Sequence, residues 1–338
     1  MTDTSVAPLT KKDFVSDQDV RWCPGCGDYS ILAQTQKTMP DLGIPKEKIV
    51  FVAGIGCSSR FPYYMDTFGF HTIHGRAPAI ASGVKVSNPE LSVWVITGDG
   101  DALSIGGNHL IHLLRRNLDM NIVLFNNEIY GLTKGQYSPT SEFGKKTKSS
   151  PFGSLDRPFN PISLALGANS TFVSRTIDTN TLHLQESLKR AHLHKGTSFI
   201  EVYQNCLIYN DGAFSHLSDK SVKDDNILDL KHKEPMIFGK ERDKGIRLDG
   251  FKAEAVKMKK NISKEDLLVH DEHDRDLAGL LSNFTEEESL PTPLGVIYSE
   301  EQPRYEELMV DQINLAKEKL GEGDLQMLIA GADTWEVT

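Results

Sequence analysis

Short apolar runs alternate with helix-like segments along the first two-thirds of the chain. The runs rich in β-branched residues predict strands at residues 49–53, 93–97, 121–126, 171–174 and 198–203. The periodic or small-residue segments between them predict helices at residues 29–39, 77–86, 108–117, 163–168 and 181–194. Asp28 stands at the N-cap position of the first helix. Alternation of this kind favours an α/β fold, with a mostly parallel sheet flanked by helices.

The regular alternation fades near residue 214, and the rest of the chain is more charged and less periodic. We therefore predict an N-terminal arm at residues 1–20, one domain at residues 21–215 and a charged C-terminal extension at residues 216–338. The extension is interpreted as a solvated segment that wraps around the core or contacts a partner. Residues 135–160 are rich in Gly, Pro, Ser and Lys, and predict a surface loop.

Composition and charge exclude several classes of protein. The 338 residues carry a formal charge of −10, which argues against nucleic acid as the main partner because phosphate binding needs a basic face. The apolar runs are far too short to span a bilayer, so no membrane partner is expected. The N-terminus has no apolar segment of the signal-peptide type, and we expect a cytoplasmic location.

Polar side chains follow two neighbouring strands of the predicted sheet. The run at residues 93–97 ends in Gly98-Asp99-Gly100, and the run at residues 121–126 is followed by Asn127. Parallel sheets bind ligands at the carboxyl ends of their strands, so Asp99 and Asn127 are expected to hold one ion between them. Their oxygen atoms suit Mg²⁺, which usually brings phosphates, and the Ile129 carbonyl is in range. The alternative is a strand–turn–helix corner in which the glycines serve the turn and no ligand is bound.

The four cysteines form a second candidate site. Cys23 and Cys26 make a Cys-x-x-Cys pair, whereas Cys57 and Cys206 each follow an apolar run at a predicted strand end. Four thiolates suit either Zn²⁺ or a [4Fe–4S] cluster. Structural zinc normally uses two local pairs, so the uneven spacing favours the cluster over zinc, with free thiols as the remaining alternative.

Six ordered motifs between residues 20 and 215 give the chain a family resemblance: WCPGCG, GIGCS, HTIHGR, GDGD, NNEIYGLTKGQ and EVYQNC. Together they resemble the β subunits of 2-oxoacid:ferredoxin oxidoreductases, and GDG followed by NN resembles the thiamine diphosphate signature. The resemblance implies a thiamine diphosphate-binding fold. It assigns the cluster to the four cysteines and the Mg²⁺ to Asp99, Asn127 and the Ile129 carbonyl.

The resemblance also implies roles for residues around these motifs. Lys134 is a candidate to bind a substrate carboxylate, and the alternative is that it is an exposed loop lysine without a ligand. His74 is expected to approach the diphosphate, and the alternative is that it is a structural histidine. The residues implied to bind or border the cofactor are Ile55, Gly56, Cys57, Ser58, His74, Gly100, Asp101, Gly131 and Leu132.

The family activity implied is oxidative decarboxylation of a 2-oxoacid, with electrons passed singly to ferredoxin and the acyl group to coenzyme A. The absence of a GxGxxG fingerprint agrees with an electron acceptor other than a nicotinamide. The substrate is expected to be 2-oxoglutarate, with pyruvate as the alternative, and an α subunit is expected to supply the glutamate that activates the cofactor. The alternative from another functional class is a non-catalytic subunit whose cysteines bind a structural zinc ion.

Overall fold

The structure is a computed structural model that describes residues 8–258, 262–287, 289–335 and 337. Its strands are β1 (Ile49–Ala53), β2 (Phe68–His71), β3 (Ser92–Gly98), β4 (Met120–Asn126), β5 (Phe172–Ile177), β6 (Thr197–Tyr203), β7 (Ile227–Asp229), β8 (Ile237–Phe238), β9 (Lys244–Asp249), β10 (Lys252–Lys257) and β11 (Thr292–Ser299). Its α-helices are α1 (Asp28–Thr38), α2 (Ala77–Ser87), α3 (Gly107–Arg116), α4 (Pro161–Gly167), α5 (Thr181–Leu193), α6 (Ser215–Ser218), α7 (Lys223–Asn226), α8 (Arg275–Ser282), α9 (Tyr305–Leu320) and α10 (Leu325–Ala330). The first seven residues of the predicted arm lie outside the described residues.

The main sheet has eight strands in the order β2-β1-β3-β4-β6-β5-β11-β7. From β2 to β5 every neighbouring pair is parallel, whereas β11 pairs with β5 in the antiparallel sense. The central strands β4 and β6 are buried along their whole length, as expected for strands with both faces covered by helices. The predicted α/β fold with a mostly parallel sheet is confirmed.

Two hydrophobic cores cover the two faces of this sheet. Along β3, Val93 and Val95 face the core that includes α2, α3, α4 and α8, whereas Trp94 and Ile96 face the core that includes α1 and α5. This division follows from the alternation of side chains along a strand. Within the described residues, no helix is long and apolar enough to cross a membrane.

The segment predicted as a C-terminal extension contributes to the fold. Strands β7 and β11 join one side of the main sheet, and β8, β9 and β10 form a small antiparallel sheet. The strand–helix alternation therefore continues past residue 214, and a solvated wrap does not describe residues 227–299. Helices α9 and α10 are almost wholly exposed. The boundary between residues 215 and 216 stays a prediction.

The start of the first helix differs from the expectation. Helix α1 begins at Asp28 itself, and Gly27 occupies the N-cap position. Asp28 is buried, with 1% of its surface exposed, and Gly27 has no side chain that could cap the helix. The prediction of Asp28 as an N-cap was wrong, because this carboxylate is directed into the interior rather than back to the helix amides.

A buried ion pair joins two central strands. Arg175 on β5 lies directly opposite Glu201 on β6, and its Nε donates to Glu201 Oε2 at 2.6 Å. Both side chains are at most 1% exposed. The other oxygen, Glu201 Oε1, accepts a hydrogen bond from Asn126 Nδ2 at 2.8 Å, one residue before Asn127. The pair therefore connects the interior of the sheet to the edge that carries the predicted ion site.

We predict that Arg175→Met lowers the free energy of unfolding by about 3–5 kcal/mol, because it leaves the Glu201 charge buried without its partner. The double variant R175M/E201L should recover most of this loss, since the uncompensated charge is then absent. Urea-induced unfolding measures both. As a control, Lys48→Met breaks the exposed pair with Glu90 and should leave the unfolding midpoint unchanged. Equal midpoints for R175M and K48M would contradict the prediction.

Candidate functional site

Four strand ends bring the predicted site residues to one edge of the sheet. Strands β1, β3, β4 and β6 are parallel, so the loops that follow them lie side by side. These loops carry Cys57, Asp99, Asn127 and Cys206 in that order of strands. The chemistry singled out in the sequence is thus concentrated at the carboxyl edge of the sheet.

A cavity of about 110 Å³ opens at this edge, and we call it the oxygen-lined cavity. All of the residues proposed to bind the Mg²⁺ or border the cofactor line it: Ile55, Gly56, Cys57, Ser58, His74, Asp99, Gly100, Asp101, Asn127, Ile129, Gly131 and Leu132. Sites for whole small molecules commonly measure about 300–1,000 Å³. The cavity therefore has room for only part of a cofactor.

Asp99 is the buried carboxylate of the oxygen-lined cavity, with 3% of its surface exposed. Its Oδ2 accepts hydrogen bonds from Ser138 Oγ at 2.6 Å and Thr140 Oγ1 at 2.7 Å. Both hydroxyls bind the same oxygen, so neither of them occupies Oδ1. Burial raises the pKa of Asp99 to about 6, and the two hydroxyls oppose that rise. A bound cation would restore the charged form.

Asn127 is held by its neighbours in an orientation that offers oxygen. Its Nδ2 donates to Gln204 Oε1 at 2.8 Å, and its Oδ1 accepts from the Ile129 amide at 3.2 Å. An amide oxygen has two lone pairs, so one remains for a ligand. Asp99, Asn127 and the carbonyl of Ile129 form an all-oxygen donor set of the kind that Mg²⁺ takes. The residues of the cavity therefore fit this ion.

Asp101 joins three of the loops around the cavity. Its Oδ1 accepts hydrogen bonds from the backbone amides of Gly75 at 2.7 Å and Ile55 at 3.1 Å, and lies 2.5 Å from His74 Nδ1. Its Oδ2 accepts from Thr97 Oγ1 at 2.7 Å. The resemblance puts this residue against the diphosphate, whereas its carboxylate oxygens are occupied by donors of the protein. Its contribution is to hold the loops in place.

Two glycines of the predicted motifs are explained by close packing. A Cβ atom at Gly54 would lie 1.9 Å from Asp101 Oδ2, and a Cβ at Gly100 would lie 2.1 Å from the Tyr130 ring. Tyr130 also donates its hydroxyl to the Gly100 carbonyl at 3.0 Å. Any larger residue at either position would displace these partners, so the glycines allow the loops to approach one another.

The four cysteines line a second cavity of about 240 Å³, which we call the thiol cavity. Hydrogen bonds between their loops hold them there: Trp22 Nε1 donates to the Cys57 carbonyl at 2.7 Å, and the Gly27 amide donates to the Asn205 carbonyl at 3.2 Å. A Cβ atom built on Gly131 would lie 3.4 Å from Cys57 Sγ and 3.6 Å from Cys206 Sγ. Thiols far apart in sequence thus converge around one space.

The spacing of the thiols discriminates between the two metals considered. Zn–S bonds of about 2.3 Å in a tetrahedral site require sulfur atoms about 3.8 Å apart. Among the described residues, which include all four cysteines, no three thiol sulfurs lie within 4.8 Å of one another. This spacing favours a larger iron–sulfur cluster over a single zinc ion as the group that the thiols would hold.

Burial keeps the thiols of Cys26, Cys57 and Cys206 neutral in the absence of metal. It raises the pKa of Cys57 to about 12 and also raises the pKa values of Cys26 and Cys206, with the nearby Asp28 carboxylate adding to each shift. Metal ligation requires the thiolate form, so loading of the site must release protons.

Comparison with known proteins identifies the family. Residues 54–202 match the family described as "Thiamine pyrophosphate enzyme, C-terminal TPP binding domain". The chain is 50% identical over 338 residues to 2-oxoglutarate oxidoreductase subunit KorB of Mycobacterium tuberculosis, which covers 99% of this chain and 90% of that protein. It is also 50% identical to 2-oxoacid:ferredoxin oxidoreductase 1 subunit β of Aeropyrum pernix over 190 residues. That aligned region covers 56% of this chain and 60% of the relative.

The chain belongs to the β subunits of 2-oxoacid:ferredoxin oxidoreductases. A solved structure agrees: the 2-oxoglutarate:ferredoxin oxidoreductase of Magnetococcus marinus matches with a TM-score of 0.77 and 30% identity, and covers 98% of both chains. That structure is described with 2-oxoglutarate, coenzyme A and succinyl-CoA bound. The family resemblance inferred from the six motifs is confirmed, and the chain is a subunit of an oxidoreductase.

Lys134 lies apart from the oxygen-lined cavity. It is an exposed residue with a φ of 76°, and it borders the thiol cavity together with Arg60. Arg21 lines it as well, so three cationic side chains give this second cavity a positive rim. A role of Lys134 toward a substrate carboxylate stays a prediction.

Several residues of this β subunit were not anticipated from its sequence. Ser138 and Thr140 belong to the predicted surface loop and bind Asp99, and Gln204 orients Asn127. Asp28 lines the oxygen-lined cavity, and its Oδ1 has no hydrogen-bond partner among the described residues. Burial raises the pKa of Asp28 to about 7. The position of Asp28 two residues after Cys26 is the sequence feature that could have indicated its place at the site. The sequence around Ser138 and Thr140 has no feature that would have indicated theirs.

We predict that Gly131→Leu abolishes cluster assembly, because the new side chain would extend toward the Cys57 and Cys206 sulfurs. Iron and acid-labile sulfide in anaerobically purified protein should fall close to zero, with unchanged circular dichroism. Gly279→Leu is the matched control, since a Cβ at Gly279 meets no atom within 4 Å. Iron retained in the Gly131 variant would contradict this prediction, and zinc in place of iron in the unaltered protein would refute the cluster assignment.

Proposed function

We propose that this β subunit works with an α subunit to convert 2-oxoglutarate, coenzyme A and oxidised ferredoxin into succinyl-CoA, CO₂ and reduced ferredoxin. The observation that carries the proposal is the shared wall of the two cavities. Cys57, Asn127, Gly131 and Leu132 line both the oxygen-lined cavity and the thiol cavity. A cofactor site and an electron outlet would thus be direct neighbours within one chain.

In this proposal Asp99, Asn127 and the Ile129 carbonyl hold Mg²⁺, and the four cysteines hold a [4Fe–4S] cluster. When bound, thiamine diphosphate would supply the carbanion chemistry, and the cluster would carry electrons singly. The hydrogen bond from His74 Nδ1 to Asp101 favours a proton on Nδ1 and fixes the ring at the cavity wall. His74 would then meet the diphosphate in one defined orientation.

The choice of 2-oxoglutarate is supported by the relatives. The subunits from Mycobacterium tuberculosis, Archaeoglobus fulgidus and Methanothermobacter thermautotrophicus are named for 2-oxoglutarate. A dicarboxylic 2-oxoacid needs a cation for its second carboxylate, and Lys134 and Arg60 border the thiol cavity. Lys134 is the residue that we assign to this contact. A cytoplasmic location suits four thiols that must remain reduced.

An α subunit is required because the cavity in this chain is only a partial site. Its volume of about 110 Å³ is well below that of a complete small-molecule pocket. The remaining walls, the glutamate that activates the cofactor and the coenzyme A contacts would come from the partner. The Magnetococcus marinus enzyme, described with coenzyme A bound, is consistent with this division.

We predict that the αβ complex reduces a low-potential dye when 2-oxoglutarate and coenzyme A are both supplied, and that the isolated β chain is inactive. Asp99→Asn should lower kcat at least about 100-fold, because it removes the charge that binds the metal. Asp156→Asn, which alters a surface-loop carboxylate bonded to Tyr137, should leave kcat unchanged.

Two outcomes of this assay would count against the proposal. Faster reduction with pyruvate than with 2-oxoglutarate would overturn the substrate and leave the family chemistry intact. No reduction with any 2-oxoacid, from a complex that contains iron and thiamine diphosphate, would reject the oxidoreductase proposal itself.

The exposed helix α9 is our candidate for part of the contact with the α subunit. Glu306 is the one buried residue of this helix, and it anchors the helix start by accepting the Asp119 amide at 3.2 Å. Beyond that anchor, Leu308, Val310, Ile313 and Leu315 are all more than 40% exposed. Leu308 and Leu315 lie on one side of the helix and Val310 and Ile313 on the other, so a partner that packs around α9 would cover apolar side chains on both sides.

We predict that removal of residues 310–338 weakens co-purification with the α subunit. The truncation begins after β11 and after Glu306, so both the sheet and the helix anchor are retained. Ile313→Asp should weaken assembly in the same direction, whereas Leu193→Asp, at an exposed position on α5, should not. If neither the truncation nor Ile313→Asp changes assembly, helix α9 is not part of the interface with the α subunit.

A further inference from the structure

Two histidines and a glutamate converge at a place that the proposed function does not use. One ligand atom from each of His232, Glu272 and His273 lies within 4.8 Å of the other two. The imidazole rings of the two histidines have centroids 5.0 Å apart and meet at 68°. Among the residues that the structure describes, this is the one such group of three metal-ligating side chains.

The cluster lies at the edge of the sheet opposite the two cavities. Strand β11 runs antiparallel to β5, and its last residue, Ser299, pairs with Phe172, the first residue of β5. Ser299 also accepts a hydrogen bond from His273 Nδ1 at 2.6 Å through its carbonyl. The cluster is therefore at the amino ends of the parallel strands, whereas the oxygen-lined and thiol cavities are at the carboxyl ends.

The ring of His273 is held by a hydrogen bond to the backbone. Because its Nδ1 donates to the Ser299 carbonyl, the neutral ring keeps a free lone pair on Nε2. A backbone carbonyl in this position fixes both the tautomer and the ring direction in metal-binding histidines. The His273 amide is held in turn by Asp271 Oδ1 at 3.0 Å.

Glu272 adds a buried carboxylate to the cluster. It is 8% exposed, and its Oε1 accepts from Arg190 Nη2 at 2.9 Å, which fixes the side chain and leaves the second oxygen. The Glu272 amide donates to His232 Nδ1 at 3.2 Å, a long bond that this ring can exchange for a metal contact. The Asp271 carboxylate lies 3.7 Å from the same nitrogen and adds negative charge beside the site.

We propose that His232, Glu272 and His273 bind one Zn²⁺ ion, with water at the remaining position. Two imidazoles and a carboxylate are ligands that zinc takes, and the distances among the three donor atoms suit a single ion. The ion would fasten three segments that are separate in sequence: the stretch after β7, the turn before α8 and, through Ser299, the end of β11. The ion would stand at the edge remote from the cofactor, so it would have no part in the proposed reaction.

The test uses the anaerobically purified αβ complex, so that the cysteines keep their own metal. After treatment with a chelator and gel filtration, the complex is titrated with ZnCl₂ by calorimetry, and bound zinc is measured by atomic emission. The unaltered complex should bind one more zinc ion per β chain than His273→Asn or His232→Asn, with unchanged visible absorption of the cluster. Loss of one ligand should weaken binding of this ion at least about tenfold.

Two further measurements make the result specific. His109→Asn, a histidine on α3 outside the cluster, should bind zinc like the unaltered complex. Co²⁺ in place of Zn²⁺ should produce ligand-field bands that the two histidine variants lack. Zinc binding equal in the unaltered complex and in both variants, or no zinc bound by the unaltered complex, would overturn the proposal.

Discussion

The carboxyl edge of this β subunit depends on one buried carboxylate. Asp101 receives the Ile55 and Gly75 amides, the His74 ring and the Thr97 hydroxyl, so the ends of β1, β2 and β3 converge on two oxygen atoms. Burying a charge is costly unless donors replace water, and charge-assisted hydrogen bonds are the strong ones. The walls of the oxygen-lined cavity are these same loops. The hydrogen bonds that these loops donate to the Asp101 carboxylate set their mutual positions, and those positions shape the cavity.

The two cavities divide the chemistry by donor type while sharing a wall. Carboxylate and amide oxygens face one side and thiols face the other, so a hard cation and a thiolate-bound cluster would each find suited ligands. Gly131 stands between them, where the lack of a side chain leaves Cys57 and Cys206 free to face a common space. Gly131 therefore borders both cavities, so the two motifs of the sequence meet at one residue in the fold.

The sequence predicted the features that depend on local pattern. The apolar runs located the parallel strands, and parallel strands force their carboxyl ends together, so the clustering of Cys57, Asp99 and Asn127 followed directly. Pairing between distant segments has no such local signal. The sequence pattern therefore does not predict that β7, a strand of three residues, and β11 join the sheet, and it favours a solvated extension instead. Ser138 and Thr140 were missed because an aperiodic loop does not reveal which carboxylate its hydroxyls will bind.

The chain divides its surfaces in a way that matches a subunit rather than a complete enzyme. Strand β11 closes one side of the sheet and is buried along nearly all its length, yet helix α9, only six residues later, is almost wholly exposed. A chain that folds for itself alone would bury such a helix, because its apolar side chains gain little in water. The same incompleteness appears in the oxygen-lined cavity, which encloses too little volume for a whole cofactor. Both features call for a second chain, one part of which would cover α9 while another part supplies the missing walls of the site at the opposite edge of the sheet.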